Sequence, residues 1–217
     1  MNNFGILWDM DGVLVDTGEL HYQAWVQTLA EVGVPLDREA FRNTFGMNNR
    51  ETLTVLLGRA PEPELLTRIG NRKEERFRQA ARGHVEVLPG VRLWLERFQA
   101  EGFRQAVASS APPANIEVLV DELGLRSYFS ALVSASSLHS KPDPAVFLEA
   151  ARRLDLPAER CIIIEDSLPG VEAARRAGMK CIAVTTTNPP EALQAADLVV
   201  ERLDALAPDM FQKLFLS

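Results

Sequence analysis

The sequence predicts an α/β protein built as a parallel sheet with helices on both faces, carrying a small all-helical unit inserted after the first strand. Three observations predict it. From about residue 91 onward, short apolar runs of strand length alternate with amphipathic runs of helix length. One more strand-type run, "FGILW" at residues 4–8, stands alone near the N-terminus. Between the two lie about 70 residues of helical periodicity in which no run reads as more than a doubtful strand.

In chain order, Phe4–Trp8 is the first strand. "TGELHYQAWVQTLAEVG" places Leu20, Ala24, Leu29 and Val32 at roughly helical spacing and ends in Gly33 as a C-cap. "DREAFRNTFG" is a short helix stopped by Gly46, and Asn48 or Asn49 caps the next, which runs to Gly58. "EPELLTRIGNRKEERFRQAAR" is a longer, strongly charged helix. The alternation then resumes with a helix over 91–100, the strand "RQAVAS", a helix from Pro113 to near Gly124 and the strand "SALVSAS". There follow the helix "DPAVFLEAARRLD", the strand "CIIIED", the helix "PGVEAARRAG", the strand "KCIAVTT", a short helix "PEALQAA" and a last strand "DLVVE". Strands separated by helices of this length pair in parallel.

The composition narrows the possible partners. With 217 residues, 47% hydrophobic and 24% charged, the chain has the make-up of an ordinary globular protein of one domain, or of a core plus a small second domain. A formal net charge of −7 argues against nucleic acid as a partner, because phosphate backbones are gripped mainly by Lys and Arg. No apolar stretch reaches the length of a membrane span, and the N-terminal pattern gives no expectation of a secretion signal. Cys161 and Cys181 each open an apolar run and read as reduced, buried thiols of a cytoplasmic protein.

The strand ends carry the chemistry. Ligands of open α/β sheets bind beyond the carboxyl ends of the strands. Asp9 follows "FGILW", with Asp11 two residues on; Ser109 follows "QAVA"; Glu165 and Asp166 follow "CIII"; Lys141 lies in the loop "HSKPDP". Each has a plain structural reading as a turn residue, a helix cap or a solvated charge. Together they set a serine, a lysine and four carboxylates on one rim, and a divalent cation would offset the repulsion between Asp9 and Asp166. Carboxylate oxygens suit Mg²⁺. Neither the three histidines (His21, His84, His139) nor the thiols belong to this rim, which disfavours zinc.

The constellation resembles the haloacid dehalogenase-like hydrolases. "DMDGVLVDT" is similar to the first motif of that family, "VASS" to the second, "SKPDP" to the third and "IIIEDSLPGVEAARRAGM" to the fourth, in family order across nearly the whole chain. The resemblance implies a Rossmann-like catalytic core over residues 1–15 and 87–217 and a helical cap over 16–86 that closes over the rim. It makes Asp9 the nucleophile that accepts a phosphoryl group and Asp11 the general acid and base. Ser109, Ser110 and Lys141 would bind the phosphoryl oxygens. Asp9, the backbone carbonyl of Asp11 and Asp166 would hold Mg²⁺, with Glu165 in support. The family's dehalogenases lack the aspartate found here at Asp11, so phosphate esters are the implied substrates.

By cap type the chain is similar to the branch of beta-phosphoglucomutase and sugar-phosphate phosphatases. Thr17 and His21 match a gating pair of the mutase, and Lys73 matches a cap lysine that reaches the sugar phosphate. Against these stand plain readings: His21 as a partly exposed helix residue, and Lys73 as part of the solvated run "RKEER". The mutase pattern also has a lysine before the cap glycine and an arginine three residues after it. Here Phe45 and Asn49 occupy those places, and Arg50 is displaced by one residue, about 100° around a helix. The expected function is therefore a Mg²⁺-dependent phosphatase of small phosphorylated metabolites working through an aspartyl-phosphate, with a sugar-phosphate mutase as the alternative. His21, Arg50 and Lys73 are the expected cap contacts of a small-molecule phosphate ester, and the expected state is a monomer.

Overall fold

A computed structural model describes residues 3–207 and 209–216. The chain divides into two compact units, one taking in the segments up to Asp16 and from Glu86 onward, the other Thr17–Val85.

The first unit is built on a six-stranded sheet of β1 (Gly5–Trp8), β2 (Arg104–Ser109), β3 (Ala131–Ser134), β4 (Cys161–Glu165), β5 (Lys180–Val184) and β6 (Leu198–Val200). All neighbours pair in parallel, in the order β3-β2-β1-β4-β5-β6. The order reverses between β1 and β4, the switch point where such sheets bind ligands. β1 and β4 are buried along their whole length, which is why they read as unbroken apolar runs rather than alternating ones.

One face of the sheet, with Leu7, Ala106, Ala108, Ile163 and Ala183, packs in a single cluster with residues of α7 (Ala145–Arg153) and α8 (Leu168–Ala177). On the other, Trp8 meets Phe98 of α5 (Val91–Ala100) edge-on, and Trp94 of the same helix packs on Phe211 of α9 (Met210–Leu216). Trp8 is fully buried, and its indole N–H is satisfied by Gln105 Oε1 at 3.0 Å; Gln105 in turn donates to the Leu95 carbonyl at 3.0 Å. α6 (Pro113–Glu122) completes the helices between strands.

The second unit holds α1 (Gly18–Ala30), α2 (Arg38–Arg42), α3 (Asn49–Leu57) and α4 (Pro63–Ala81). Its core gathers Trp25, Leu29, Phe41, Leu53 and Ile69. Asn48 caps α3 by accepting the Glu51 N–H at 3.0 Å, and Gly58 ends it with φ +67°.

Three local expectations need correction. "PEALQAA" forms only a 3₁₀ turn, Pro190–Ala192, closed by the Leu193 N–H on the Pro190 carbonyl at 3.1 Å. α1 stops at Ala30 with Glu31 as its cap, and Gly33 takes φ +72° two residues later. α2 ends at Arg42, four residues before Gly46, where the Thr44 hydroxyl bonds back to the Phe41 carbonyl at 3.0 Å. α9 lies beyond the last element that the sequence pattern predicts. Among the described residues no helix is long and apolar enough to cross a membrane.

Candidate active site

Strand register assembles the site. Trp8 lies opposite Val107 of β2 and Ile164 of β4, so Glu165 is level with Asp9, while Ser109 and Asp166 lie one step beyond. The Asp9 N–H closes the ladder on the Ile164 carbonyl at 3.0 Å. Ligand atoms of Asp9, Glu165 and Asp166 lie within 4.8 Å of one another, and all three residues are buried.

Lys141 answers part of that charge. Its Nζ is 2.6 Å from Asp9 Oδ1 and 2.6 Å from Glu165 Oε1, with the lysine side chain only 5% exposed. Burial works against the ammonium, yet attraction from Asp9 and Glu165, with hydrogen bonds to both, holds its pKa above the ordinary lysine value. Burial is likewise the main influence on Asp9 and pushes it up to about 7, against the pull of Lys141 and with added repulsion from Glu165 and Asp11. Asp166 is raised as well, by burial first and then by Glu165 and Asp9.

Glu165 is anchored rather than loose. Its Oε2 accepts the N–H groups of Asp166 and Ser167, each at 2.7 Å, and the Ser167 hydroxyl at 2.9 Å. With Lys141 on Oε1, both oxygens are engaged. Two glycines make room for the cluster. A Cβ at Gly170, in the first turn of α8, would fall 1.9 Å from the Glu165 carboxyl carbon. A Cβ at Gly12, whose φ is +88°, would fall 2.0 Å from Asp166 Oδ2.

Ser109 is buried at the end of β2, and its Oγ accepts the Ala111 N–H at 3.0 Å. Ser110 follows it, half-buried. Asp11 is half-buried in the turn after β1, where the Gly12 N–H bonds to the Val15 carbonyl at 2.8 Å. Among the described residues the three-carboxylate cluster does not include the Asp11 side chain, which leaves its main-chain carbonyl as the group to consider there.

The donor set fits Mg²⁺. It is all oxygen, and the three carboxylates, once ionised, would exceed the one ammonium by two negative charges, which one divalent cation would cancel.

The residues assigned to the cap fall in the helical unit. His21 and Lys73 are both buried, and neither plain reading of them stands. Lys73 Nζ lies 2.9 Å from His21 Nδ1 and 3.0 Å from Glu74 Oε1, and the His21 ring stacks on Phe77 at 3.9 Å between centroids. Phe45 packs edge-on to His21 and against Phe41, so it serves the packing of this unit. Arg50 is exposed on the first turn of α3.

Two groups of partners escaped the sequence reading. Thr187 and Asn188, in the loop after β5, bond to Asp166; "TTTN" after a strand gives only a turn signal. Glu74 was hidden inside a run of mixed charge.

The pattern for the haloacid dehalogenase-like hydrolases matches residues 6–184. The chain is 33% identical over 213 residues to the chloroplastic 5-amino-6-(5-phospho-D-ribitylamino)uracil phosphatase of Arabidopsis thaliana, spanning 97% of this chain but only 57% of that longer protein. It is 31% identical to a phosphorylated carbohydrates phosphatase of Thermotoga maritima, over 89% of this chain and 91% of the relative. Among solved structures, a beta-phosphoglucomutase of Clostridium difficile superposes with a TM-score of 0.88 at 26% identity, covering 100% of this chain and 98% of that one. With the match running from β1 through β5, the chain belongs to the haloacid dehalogenase-like hydrolases.

Proposed function

We propose that the chain is a Mg²⁺-dependent phosphatase of small phosphorylated metabolites, sugar phosphates above all, acting through a phosphoryl group carried on Asp9. The observation that carries the reading is Lys141, bonded at once to Asp9 and Glu165 at the switch point of the sheet. It holds the nucleophile in one orientation and leaves positive charge where phosphoryl oxygens arrive. Relatives named as phosphatases, at 33% and 31% identity, support hydrolysis as the outcome.

In the first half-reaction an Asp9 oxygen attacks phosphorus. The new O–P bond forms as the bond to the leaving oxygen breaks, and the Asp11 carboxyl passes its proton to that oxygen. In the second, the Asp11 carboxylate takes a proton from water as the water attacks the acyl phosphate. The Asp9–phosphorus bond breaks, inorganic phosphate leaves, and both carboxyl groups return to their starting states. The Ser109 hydroxyl, the Ser110 segment and the Lys141 ammonium hold the phosphoryl oxygens throughout. Asp9, Asp166 and the Asp11 carbonyl are the groups that would hold Mg²⁺, with Glu165 in support through Lys141. When bound, the ion supplies positive charge against the phosphoryl oxygens.

His21, Lys73 and Arg50 are assigned to the leaving group. The buried His21–Lys73 pair and the likeness to a beta-phosphoglucomutase favour a second reading, in which a sugar hydroxyl instead of water takes the phosphoryl group. Phe45 and Asn49 weigh against it, because they remove two cations from the place where the mutase pattern grips a remote phosphate.

The test is a panel of sugar phosphates with Mg²⁺, scored for phosphate release. Beta-glucose 1-phosphate with catalytic beta-glucose 1,6-bisphosphate is scored also for glucose 6-phosphate. Phosphate release faster than isomerisation is expected, together with loss of both in Asp9→Asn. Isomerisation in large excess would establish the mutase, and turnover retained in Asp9→Asn would remove the nucleophile.

A further inference from the structure

Asp166 is held by more than the strand that delivers it. β5 pairs with β4 so that Ala183 faces Glu165, and the loop after β5 therefore passes beside Asp166. From that loop the Thr187 hydroxyl lies 2.5 Å from Asp166 Oδ2 and 3.0 Å from the Asp166 carbonyl. The Asn188 side-chain amide donates to the same carbonyl at 3.0 Å and to Thr187 Oγ1 at 3.0 Å.

A threonine hydroxyl has one proton to give. Asn188 already supplies donors to Thr187 Oγ1 and to the Asp166 carbonyl, so the arrangement is best satisfied when the Thr187 proton points at Oδ2, its shortest contact. Gly12 leaves the space this contact needs, since a Cβ there would sit 2.0 Å from Oδ2 and 3.1 Å from Thr187 Cγ2. Oδ2 is thus engaged by the Thr187 hydroxyl, whereas Oδ1 takes no such bond among the described residues and is the oxygen better placed to be given up to a cation.

This bears on which cation is accepted. Mg²⁺ demands compact octahedral geometry, to which a carboxylate contributes one oxygen. Ca²⁺ takes more ligands at longer distance and commonly uses both oxygens of a carboxylate. We infer that Thr187, oriented by Asn188, is a positioning residue that restricts Asp166 to one-oxygen ligation and so makes the site select Mg²⁺ over Ca²⁺. The inference rests on the proposed reading of Asp166 as a metal ligand.

Thr187 is itself exposed, so its substitution leaves the core intact. The experiment is calorimetric titration of the metal-free full chain with MgCl₂ and, separately, with CaCl₂. Wild type, Thr187→Val, Thr187→Ser and Asp166→Asn are compared. Thr187→Val keeps the shape and removes the proton donor. Its Mg²⁺ affinity is expected to fall about tenfold, the scale of lost outer-shell partners, with Ca²⁺ affinity held or raised. Thr187→Ser is expected to restore the wild-type ratio of the two affinities, a recovery that a merely structural role of the loop would not produce. A Mg²⁺-to-Ca²⁺ ratio lowered by less than about threefold in Thr187→Val, or equal weakening of both ions, would overturn the inference while Asp166 remains a ligand. Failure of wild type to bind Mg²⁺, or undiminished binding by Asp166→Asn, would instead overturn the reading of Asp166 and the inference with it.

Discussion

A Cβ added at Gly12 would stand 2.0 Å from Asp166 Oδ2, and Gly12 holds φ at +88°. Steric overlap and backbone strain therefore coincide at one residue. Gly33 offers the control: its φ is +72°, yet a Cβ there meets nothing within 4 Å. Gly33→Ala is expected to cost about 1 kcal/mol from the left-handed backbone alone and to leave turnover unchanged. Gly12→Ala adds displacement of Asp166 and is expected to lose Mg²⁺-supported phosphatase activity by about a hundredfold or more, the scale of a misplacement near 1 Å. Urea unfolding and steady-state kinetics on the two variants check this. Equal activity in both would show that Asp166 yields at no cost.

The raised pKa of Asp9 gives a pH signature of its own. In the cation-free protein burial lifts it from 3.8 to about 7, so the folded state holds this proton more tightly than the unfolded chain does. Between those two values the folded state has more protons bound, and Asp9 therefore costs stability progressively as pH rises through the window, with no further loss above about 7. A carboxylate with a depressed pKa would do the reverse. The measurement is the unfolding free energy of wild type minus that of Asp9→Asn in EDTA, from pH 4.5 to 8. A falling difference that levels off is expected, and a rising one would contradict the assignment. Asp166 is raised alongside Asp9, so the curve reports the linked group of carboxylates rather than one isolated site.

The parts of the site that were legible in the sequence are those where a polar residue interrupts a strong pattern. Asp9, Ser109, Glu165 and Asp166 each end a run too apolar to finish in a charge or hydroxyl without reason, and the strand–helix alternation places those ends on one edge of a parallel sheet. Lys141 is marked less sharply: its loop "HSKPDP" between strand and helix puts it near the same edge, but a loop lysine carries no pattern by itself. Thr187, Asn188 and Glu74 carry no such signal either. They act through hydrogen bonds formed across strand neighbours or inside a helix interface, and neither partner's local sequence marks the other. The fold was lost in the same way at its weakest pieces. A 3₁₀ turn over Pro190–Ala192 and the terminal helix α9 are fixed by tertiary packing, such as Phe211 on Trp94, more than by periodicity.

Cys161 and Cys181 are both free and buried. Burial, with some repulsion from Glu159, pushes the Cys161 thiol up to about 12, and burial raises Cys181 in the same direction. At pH 8 a thiol of that pKa is roughly one part in ten thousand thiolate, the only nucleophilic form. Native protein is therefore expected to resist Ellman's reagent at pH 8 and to release two equivalents of chromophore once unfolded in guanidinium. Rapid modification of either thiol in the native state would show that the bottom of the sheet opens freely.

Lys73 and Glu74 raise a separate question, because adjacent charges in a run of mixed sign would ordinarily be solvated. Here the side chains are 5% and 7% exposed and paired at 3.0 Å, with His21 on the same ammonium. A buried pair adds little net stability, since the cost of stripping water from both ions offsets their attraction. Removing one member is different, because the other charge then keeps its desolvation cost and loses this contact. Lys73→Met and Glu74→Leu are each expected to destabilise by about 3 kcal/mol. The double variant is expected to cost no more than the worse single, because both charges then leave together. Urea unfolding of the four proteins closes the cycle. Costs that simply add would mean that the two charges are solvated independently, as the bare sequence "RKEER" implies, and that the buried pair with His21 does not organise this unit.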